Sequence, residues 1–343
     1  MEKNKKINIL FDLNHPADVN FFKHSINKLH KKHNIKVIYR GRGSLHKIIK
    51  YELPLIKPFQ IGSHKKSFFS KVFFQLVREL KILKYLIQNK IDIVVCFGST
   101  SALSSWLLKV PYLAFDDDFE YKIPFYYANI FCTQHIYPDF ITFTNNKTIK
   151  YSGFKELAYL HPNHLRLNHT KLSEFNLKKN KYIFIREIKG VSLNYSSKKT
   201  ILDKIISSVV KRGLKIVLSI EDKSLVNKYK DHCIILEEPV SDYYSIIYNA
   251  LFVISSGDTV SRESALLGVP VIFTGNRKMS VNETLVKENI MYQLDEIKLI
   301  DELINNINLS FKQSSRKRIN SLIDKKWHDT NKVILDCINK FLV

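Results

Sequence analysis

The stretch Ser255-Ser256-Gly257-Asp258-Thr259-Val260-Ser261-Arg262-Glu263-Ser264-Ala265-Leu266-Leu267-Gly268-Val269-Pro270-Val271-Ile272 decides how this chain is read. An apolar run at 251–254 precedes it and reads as a buried parallel strand. Small residues follow, then a helical segment with a carboxylate in its first turns, then Gly268 and a second apolar run opened by Pro270. Strand, turn, helix and strand in this order form the unit of a doubly wound sheet. The turn offers backbone N–H groups at a helix N-terminus, which attract anions. Ser256, Gly257, Asp258 and Thr259 are therefore read as phosphate-binding, and Glu263, one turn in, as an acceptor for ribose hydroxyls. Taken alone, the same residues also fit a helix cap at Ser256 or Asp258 followed by a surface glutamate.

The pattern recurs on both sides. Upstream, strands are expected at 182–186, 215–219 and 233–236, with helices at 199–212, 225–229 and 239–249. Arg186, at a strand's carboxyl end, suits a phosphate clamp. Downstream, Thr274-Gly275-Asn276-Arg277 is another loop at a strand end, and the remainder reads as helical. Near the N-terminus a strand at 7–11 leads into Asp12-Leu13-Asn14-His15-Pro16-Ala17-Asp18-Val19-Asn20 and a helix at 21–32. A strand at 35–39, the basic turn Arg40-Gly41-Arg42-Gly43-Ser44 and a helix at 45–51 complete two βα units. Sheets of this kind bind ligands at the carboxyl ends of their strands, where His15 and Asp18 stand as candidates for general base catalysis. His15 can also orient a phosphate, and the alternative to both is a ring that satisfies loop backbone groups.

A helix at 67–89 carries the apolar stripe Phe69, Val72, Phe73, Leu76, Leu80, Leu83 and Ile87, surrounded by Lys65, Lys66, Lys71, Arg78, Lys81 and Lys84. Such a segment is either a core helix with solvated lysines or a helix lying on an anionic membrane. Strands at 91–97 and 111–115 enclose the turn Gly98-Ser99-Thr100-Ser101 and a helix at 102–108. Asp116, Asp117, Asp118 and Glu120 then crowd one strand end, where they can serve as acid or base, hold sugar hydroxyls, bind a divalent cation, or simply cap a loop. Asp117 and Glu120 are taken as catalytic candidates, and Asn14, Asp116, Lys155 and Glu156 as acceptor contacts. Short strands at 130–132 and 140–143 are expected to close the first domain. The expected organisation is a first domain at 1–162, a linker at 163–180, a second domain at 181–325 and a C-terminal helix at 326–343 packing back on the first.

Composition narrows the function classes. The net charge is +22, and residues 1–110 hold 21 Lys and Arg against 6 Asp and Glu. Such a field attracts phosphorylated small molecules, anionic lipid or nucleic acid. No nucleic-acid motif or interleaving of basic and exposed aromatic residues is evident, so no nucleic-acid partner is expected. Cys96, Cys132, Cys233 and Cys337 are far apart and read as buried thiols, and the 12 histidines show no paired metal spacing, so no metal is expected. The segment before the first strand lacks an apolar signal region, and no uncharged run reaches spanning length, which reads as cytoplasmic.

Two such halves, with a Glu-bearing helix after a Ser/Gly turn in the second, resemble the GT-B superfamily. That group includes nucleotide-sugar glycosyltransferases, the lipid-linked N-acetylglucosaminyltransferase of peptidoglycan synthesis, and non-hydrolysing UDP-N-acetylglucosamine 2-epimerases. More closely, the chain resembles the family called domain of unknown function 354. The matching residues are Phe11-Asp12 with His15-Pro16-Ala17 and Phe21-Phe22-Lys23, the Phe115-Asp116-Asp117 region, Lys155-Glu156-Leu157-Ala158-Tyr159-Leu160-His161-Pro162, and Asp258-Thr259 with Arg262-Glu263 through Pro270. Asp18-Val19-Asn20 stands where the family is expected to carry His-Val-His, and Gly190-Val191-Ser192-Leu193-Asn194 where a His-rich turn is expected. This member then uses His15 with Asp18, or acts on a different substrate.

The resemblance implies an α/β fold of two Rossmann-like domains facing across a cleft, the GT-B architecture. It implies a glycosyltransferase of surface polysaccharide or glycan assembly, with a nucleotide-sugar donor in the second domain. A glycan or lipid-linked acceptor would sit in the first, and the basic N-terminal half would rest on the inner membrane face. No cofactor beyond the nucleotide-sugar co-substrate is implied. The alternatives are a nucleotide-sugar 2-epimerase or hydrolase of the same fold, and a basic nucleic-acid-binding module.

Overall fold

The computed structural model describes residues 6–63, 68–189, 202–237, 240 and 242–342, with side chains from residue 74 onward in the helix that begins at Phe68. The chain divides into two compact units, one of residues 1–164 with 327–343 and one of residues 165–326.

The first unit alternates strand and helix. It runs β1 (Asn8–Leu13), α1 (Pro16–His30), β2 (Asn34–Gly41), α2 (Leu45–Glu52), β3 (Phe59–Ser63) and α3 (Phe68–Gln88). It continues through β4 (Ile93–Phe97), α4 (Ala102–Leu107), β5 (Tyr112–Phe115), α5 (Lys122–Phe131), β6 (Gln134–Pro138), β7 (Thr148–Tyr151) and α6 (Leu157–Leu160). All seven strands are parallel, in the order β3-β2-β1-β4-β5-β6-β7. The strands expected at 130–132 and 140–143 are not strands. The apolar run at 130–132 closes α5, whose Phe125 and Ala128 pack inward, and the sheet's last two strands are β6 and β7. Helix α1 begins five residues earlier than its apolar periodicity suggests. Pro16 at the first helical position is pre-set for helix, and the His15–Asp18 capping box satisfies the turn.

The second unit holds α7 (Thr170–Glu174), β8 (Tyr182–Glu187), α8 (Leu202–Val210), β9 (Lys215–Ile220), α9 (Val226–Tyr229), β10 (Ile234–Ile235) and α10 (Tyr243–Asn249). It continues through β11 (Val253–Ser255), α11 (Asp258–Leu266), β12 (Val271–Phe273), α12 (Ser280–Lys287), β13 (Met291–Gln293), α13 (Ile297–Asn306) and α14 (Leu309–Lys325). Its six parallel strands run β10-β9-β8-β11-β12-β13. Strand β13 lies where the sequence reads as wholly helical. The helix start expected at 199 and the turn at 190–194 lie outside the described residues. The last helix, α15 (Thr330–Asn339), belongs to the first unit and packs on α1 and α6. Its N-cap Asp329 accepts Asn331 N–H at 3.1 Å and bonds His164 Nε2 at 2.8 Å, tying the place where the chain leaves this unit to the place where it returns.

Both sheets are therefore wound in the same sense, with a reversal of strand order between β1 and β4 in one and between β8 and β11 in the other. Ligands of doubly wound sheets bind in the crevice outside such reversals, at the carboxyl ends of the strands. The four cysteines are buried free thiols. Among the described residues no helix is long and apolar enough to cross a membrane, and no group of three or more His, Cys, Asp or Glu is placed to hold a metal ion.

Candidate functional site

In the second unit the β8/β11 reversal falls on the stretch quoted first. Register pairs Arg186 with both Ser255 and Ser219, so its side chain leaves the sheet at the strand ends. The guanidinium donates to Ser219 Oγ and to Glu221 Oε1, both at 2.6 Å, which holds it over β9. Ser256 Oγ accepts the Ile188 N–H at 2.9 Å, and Gly257 N–H goes to Ser255 Oγ at 3.1 Å. Asp258 opens α11, accepts the Thr259 N–H at 2.9 Å and pairs with Arg277 at 2.8 Å. The Ser256 N–H donates to the Arg186 carbonyl at 3.0 Å, so three of the four amides assigned to phosphate are engaged internally, and a phosphate would exchange with these bonds. The aspartate also complements the positive helix end. Arg277 brings a cation to the same place.

Gly275 shapes the turn from the neighbouring strand. A Cβ there would lie 2.5 Å from the Phe273 ring and 2.8 Å from the Ser256 carbonyl oxygen, so only glycine lets the two loops meet. One turn into α11, Glu263 is buried rather than exposed, and Tyr244 Oη donates to its Oε1 at 3.1 Å. This excludes the surface-glutamate reading. Glu187, at the end of β8, is pushed up to about 7 by burial, opposed by its bond to Ser256 and by Arg186.

In the first unit the β1/β4 reversal falls on Asn14, His15 and Thr100. Beneath them lies Asp12, fully buried and paired with Arg78, whose Nη1 and Nη2 lie 3.0 and 2.5 Å from its oxygens. Thr100 Oγ1 donates to Asp12 at 2.8 Å, Ser101 Oγ donates as well, and Asn14 Nδ2 reaches Thr100 Oγ1 at 2.8 Å. The arginine and these hydroxyls overcome burial and hold the Asp12 carboxyl below its ordinary range. Asp12 and Arg78 thus brace the floor from which the Asn14–His15 turn rises.

That turn is set by Asp18. Its Oδ2 accepts the N–H of Asn14 at 2.8 Å and of His15 at 2.9 Å. Burial raises its pKa to about 7 despite those bonds. His15 Nδ1 accepts the Ala17 N–H at 3.2 Å. Desolvation by the surrounding chain, then Arg42 and Lys155, lowers the His15 pKa to about 4. Because the side chain keeps solvent contact, the two cations are the firmer cause, and both act in the same direction. A neutral imidazole whose Nδ1 accepts carries its proton on Nε2, so His15 presents a hydrogen-bond donor outward. A general-base role for it finds no support in this geometry.

The carboxylates after β5 separate into distinct tasks. Asp116 Oδ2 lies 2.9 Å from Nε2 of the buried His135. Asp117 is nearly buried and pairs with Lys155 Nζ at 2.6 Å, and that ammonium sits 5.2 Å from the centre of the Phe97 ring. Asp118 accepts the Glu120 backbone N–H, and Glu120 itself is exposed. Glu156 is fully buried at the N-cap position of α6, inside the fold rather than on an acceptor surface. Lys155 is the group that gathers the cluster, since it pairs with Asp117 and also acts electrostatically on His15 and Asp18. Sequence reasoning passed over Arg78, His135, Tyr244, Glu187 and Arg277. A carboxylate at a strand end facing a distant buried arginine leaves no local signal, although Arg277 stood in a flagged loop.

Comparison with known proteins agrees with this fold. The UDP-GlcNAc 2-epimerase of Neisseria meningitidis, solved bound to UDP-GlcNAc, superposes with a TM-score of 0.69 at 13% identity, covering 97% of this chain and 100% of that one. The 2-epimerase of Methanocaldococcus jannaschii, solved with UDP-GlcNAc and UDP, gives 0.67 at 18% identity over 92% and 99%. MurG of Acinetobacter baumannii gives 0.64 at 14% identity over 97% and 99%. At these identities the likeness is one of fold, and the fold is GT-B. Uncharacterized protein MJ0665 of Methanocaldococcus jannaschii is 33% identical over 109 residues, which span 31% of this chain and 31% of that protein. The family model described as protein of unknown function (DUF354) matches residues 7–342, so the chain belongs to the DUF354 family.

Proposed function

We propose that this protein is a GT-B glycosyltransferase that takes a sugar from a nucleotide-sugar donor and passes it to a glycan or lipid-linked acceptor in surface polysaccharide assembly. The observation that carries the reading is the buried Glu263, held by Tyr244 one turn beyond the Gly257–Thr259 helix start in the second unit. A buried carboxylate beside a helix N-terminus suits a ribose joined to a diphosphate, since one end accepts hydroxyl protons and the other meets negative charge. Related folds solved with UDP-GlcNAc support the same ligand class.

In this reading Arg277 and the α11 amides neutralise the departing diphosphate, with Arg186 beside them. In the first unit, His15 Nε2–H orients the acceptor. Asp117, paired with Lys155, takes the acceptor hydroxyl proton. Asp18 fixes the turn that aims His15. The protein works in the cytoplasm at the inner face of the cell membrane, with an anionic membrane surface as partner.

The test is a thermal-shift screen with UDP-, GDP-, CMP- and dTDP-sugars, followed by product analysis with and without a glycan acceptor. Stabilisation by one donor, and turnover only with acceptor, supports transfer. Turnover of donor alone supports the second reading, a 2-epimerase or hydrolase. That reading is favoured by the solved UDP-GlcNAc 2-epimerases that share this fold.

A further inference from the structure

Resting on the membrane partner named above, we propose that the outer surface of α3, α4 and α5 is the face that docks on an anionic lipid membrane. On α3, Leu76, Leu80, Leu83 and Ile87 recur at helical spacing and form one apolar stripe. In an ordinary surface helix that stripe faces the core. Here it faces out. Leu80 is 67% and Ile87 58% exposed, while the inward side carries Arg78 and Glu79, bonded to Asp12 and Ser104, together with Ile82 and Leu86. The sequence alternative of a core helix therefore fails for this stripe. Helix α5 repeats the arrangement, with Ile123 84% and Ile130 60% exposed on one side and Phe125 and Ala128 buried on the other. Trp106 of α4 is exposed and meets Phe131 of α5 edge-on. The three helices lie side by side over one face of the first sheet, sharing one core cluster.

Charge selects the occupant. Lys81, Lys84, Lys109 and Lys122 are exposed along these helices and their ends, against one exposed acid, Glu120, two residues before α5; Glu79, the acid within the described part of α3, is buried. A second copy placed isologously would set this lysine-bearing face against an identical one. Nucleic acid would satisfy the lysines and meet exposed rings such as Trp106 and Tyr126, but would leave Leu76, Leu80, Ile87, Ile123 and Ile130 in water. An anionic bilayer satisfies both, since leucine and isoleucine enter the acyl boundary while each lysine near the surface adds about fivefold to partition.

The experiment is co-sedimentation of the full chain, without nucleotide, with phosphatidylglycerol-containing vesicles and with phosphatidylcholine vesicles. Omitting nucleotide separates this test from that of the proposed reaction. Binding to the anionic vesicles alone is expected, weakening with salt. Leu76→Ser/Leu80→Ser/Ile87→Ser should lower it about tenfold or more. Lys81→Glu/Lys84→Glu should do likewise. The matched Leu299→Ser/Leu309→Ser, at exposed leucines of the second unit, should leave it unchanged. Equal binding of wild type and the triple variant overturns the proposal, as does absence of binding. Concentration-dependent dimerisation abolished by the triple variant, or salt-sensitive binding of random RNA in place of vesicles, assigns the face to those partners and also overturns it.

Discussion

Replacing Asp18 with Asn should change how stability depends on pH, and the size of the change follows from the capping turn. The native carboxyl has its pKa raised from 3.8 to about 7, burial being the main cause. The folded state therefore holds a proton between pH ~4 and ~7 that the unfolded chain has released, so native proton uptake exceeds that of the unfolded state. The contribution is complete below pH ~4 and is lost as pH rises through ~7. A shift of about three units corresponds to roughly 4 kcal/mol. Asparagine keeps an oxygen that can accept the Asn14 and His15 N–H groups but does not titrate. Its Nδ2 amide brings buried donors with no assigned acceptor, which costs about 1 kcal/mol at every pH. Relative to wild type, Asp18→Asn should thus be less stable at pH 4 and gain roughly 4 kcal/mol by pH 8. Trp106 and Trp327 are the two tryptophans, and both lie in the first unit, so urea unfolding followed by tryptophan fluorescence reports on the unit that carries the substitution. Parallel pH curves for variant and wild type would refute the reasoning.

Three further outcomes follow from the same geometry. Arg78→Met leaves Asp12 charged and buried, and should cost about 3–5 kcal/mol in the same urea assay, while Asp12→Asn/Arg78→Met recovers part of that loss. Once a donor and acceptor are identified, His15→Gln should lower kcat/KM while leaving the wild-type profile without a histidine step between pH 6 and 8, because the ring is already neutral there; a step near 6.5 removed by the substitution would restore His15 as base. Gly275→Ala drives a methyl into the Phe273 ring and the Ser256 carbonyl, and should destabilise by about 1–3 kcal/mol in thermal melts while weakening nucleotide-sugar binding by calorimetry.

Much of the architecture was legible because buried parallel strands announce themselves as short apolar runs, and helices follow small-residue turns. The runs at 7–11 and 251–254 and the turns at Asn14–His15 and Gly257–Thr259 fall at the two strand reversals. Strand β3, Phe-Gln-Ile-Gly-Ser, escaped because it is short and mostly exposed, with Ile61 its one buried side chain. Residues 130–132 misled because an apolar run that short reads equally as a helix end or a strand. The outward stripe of α3 was invisible for a different reason. Periodicity identifies an apolar face, but which face turns inward was settled by Arg78 reaching Asp12, 66 residues away in sequence. At the candidate site, local pattern singled out His15, Asp117 and Glu263, while the partners that surround them are distant in the chain. Lys155 lies 38 positions from Asp117, and Tyr244 reaches Glu263 from the preceding helix.

Isothermal titration of the full chain with UDP-N-acetylglucosamine and the other nucleotide sugars, repeated with Glu263→Ala, bears most directly on the central claim. One nucleotide sugar should bind wild type, and truncation of Glu263 should weaken it about tenfold or more, the loss expected when ribose hydroxyls forfeit a buried charged acceptor. Equal affinity in the variant, or no binding of any nucleotide sugar to wild type, would contradict the assignment of α11 as the donor site.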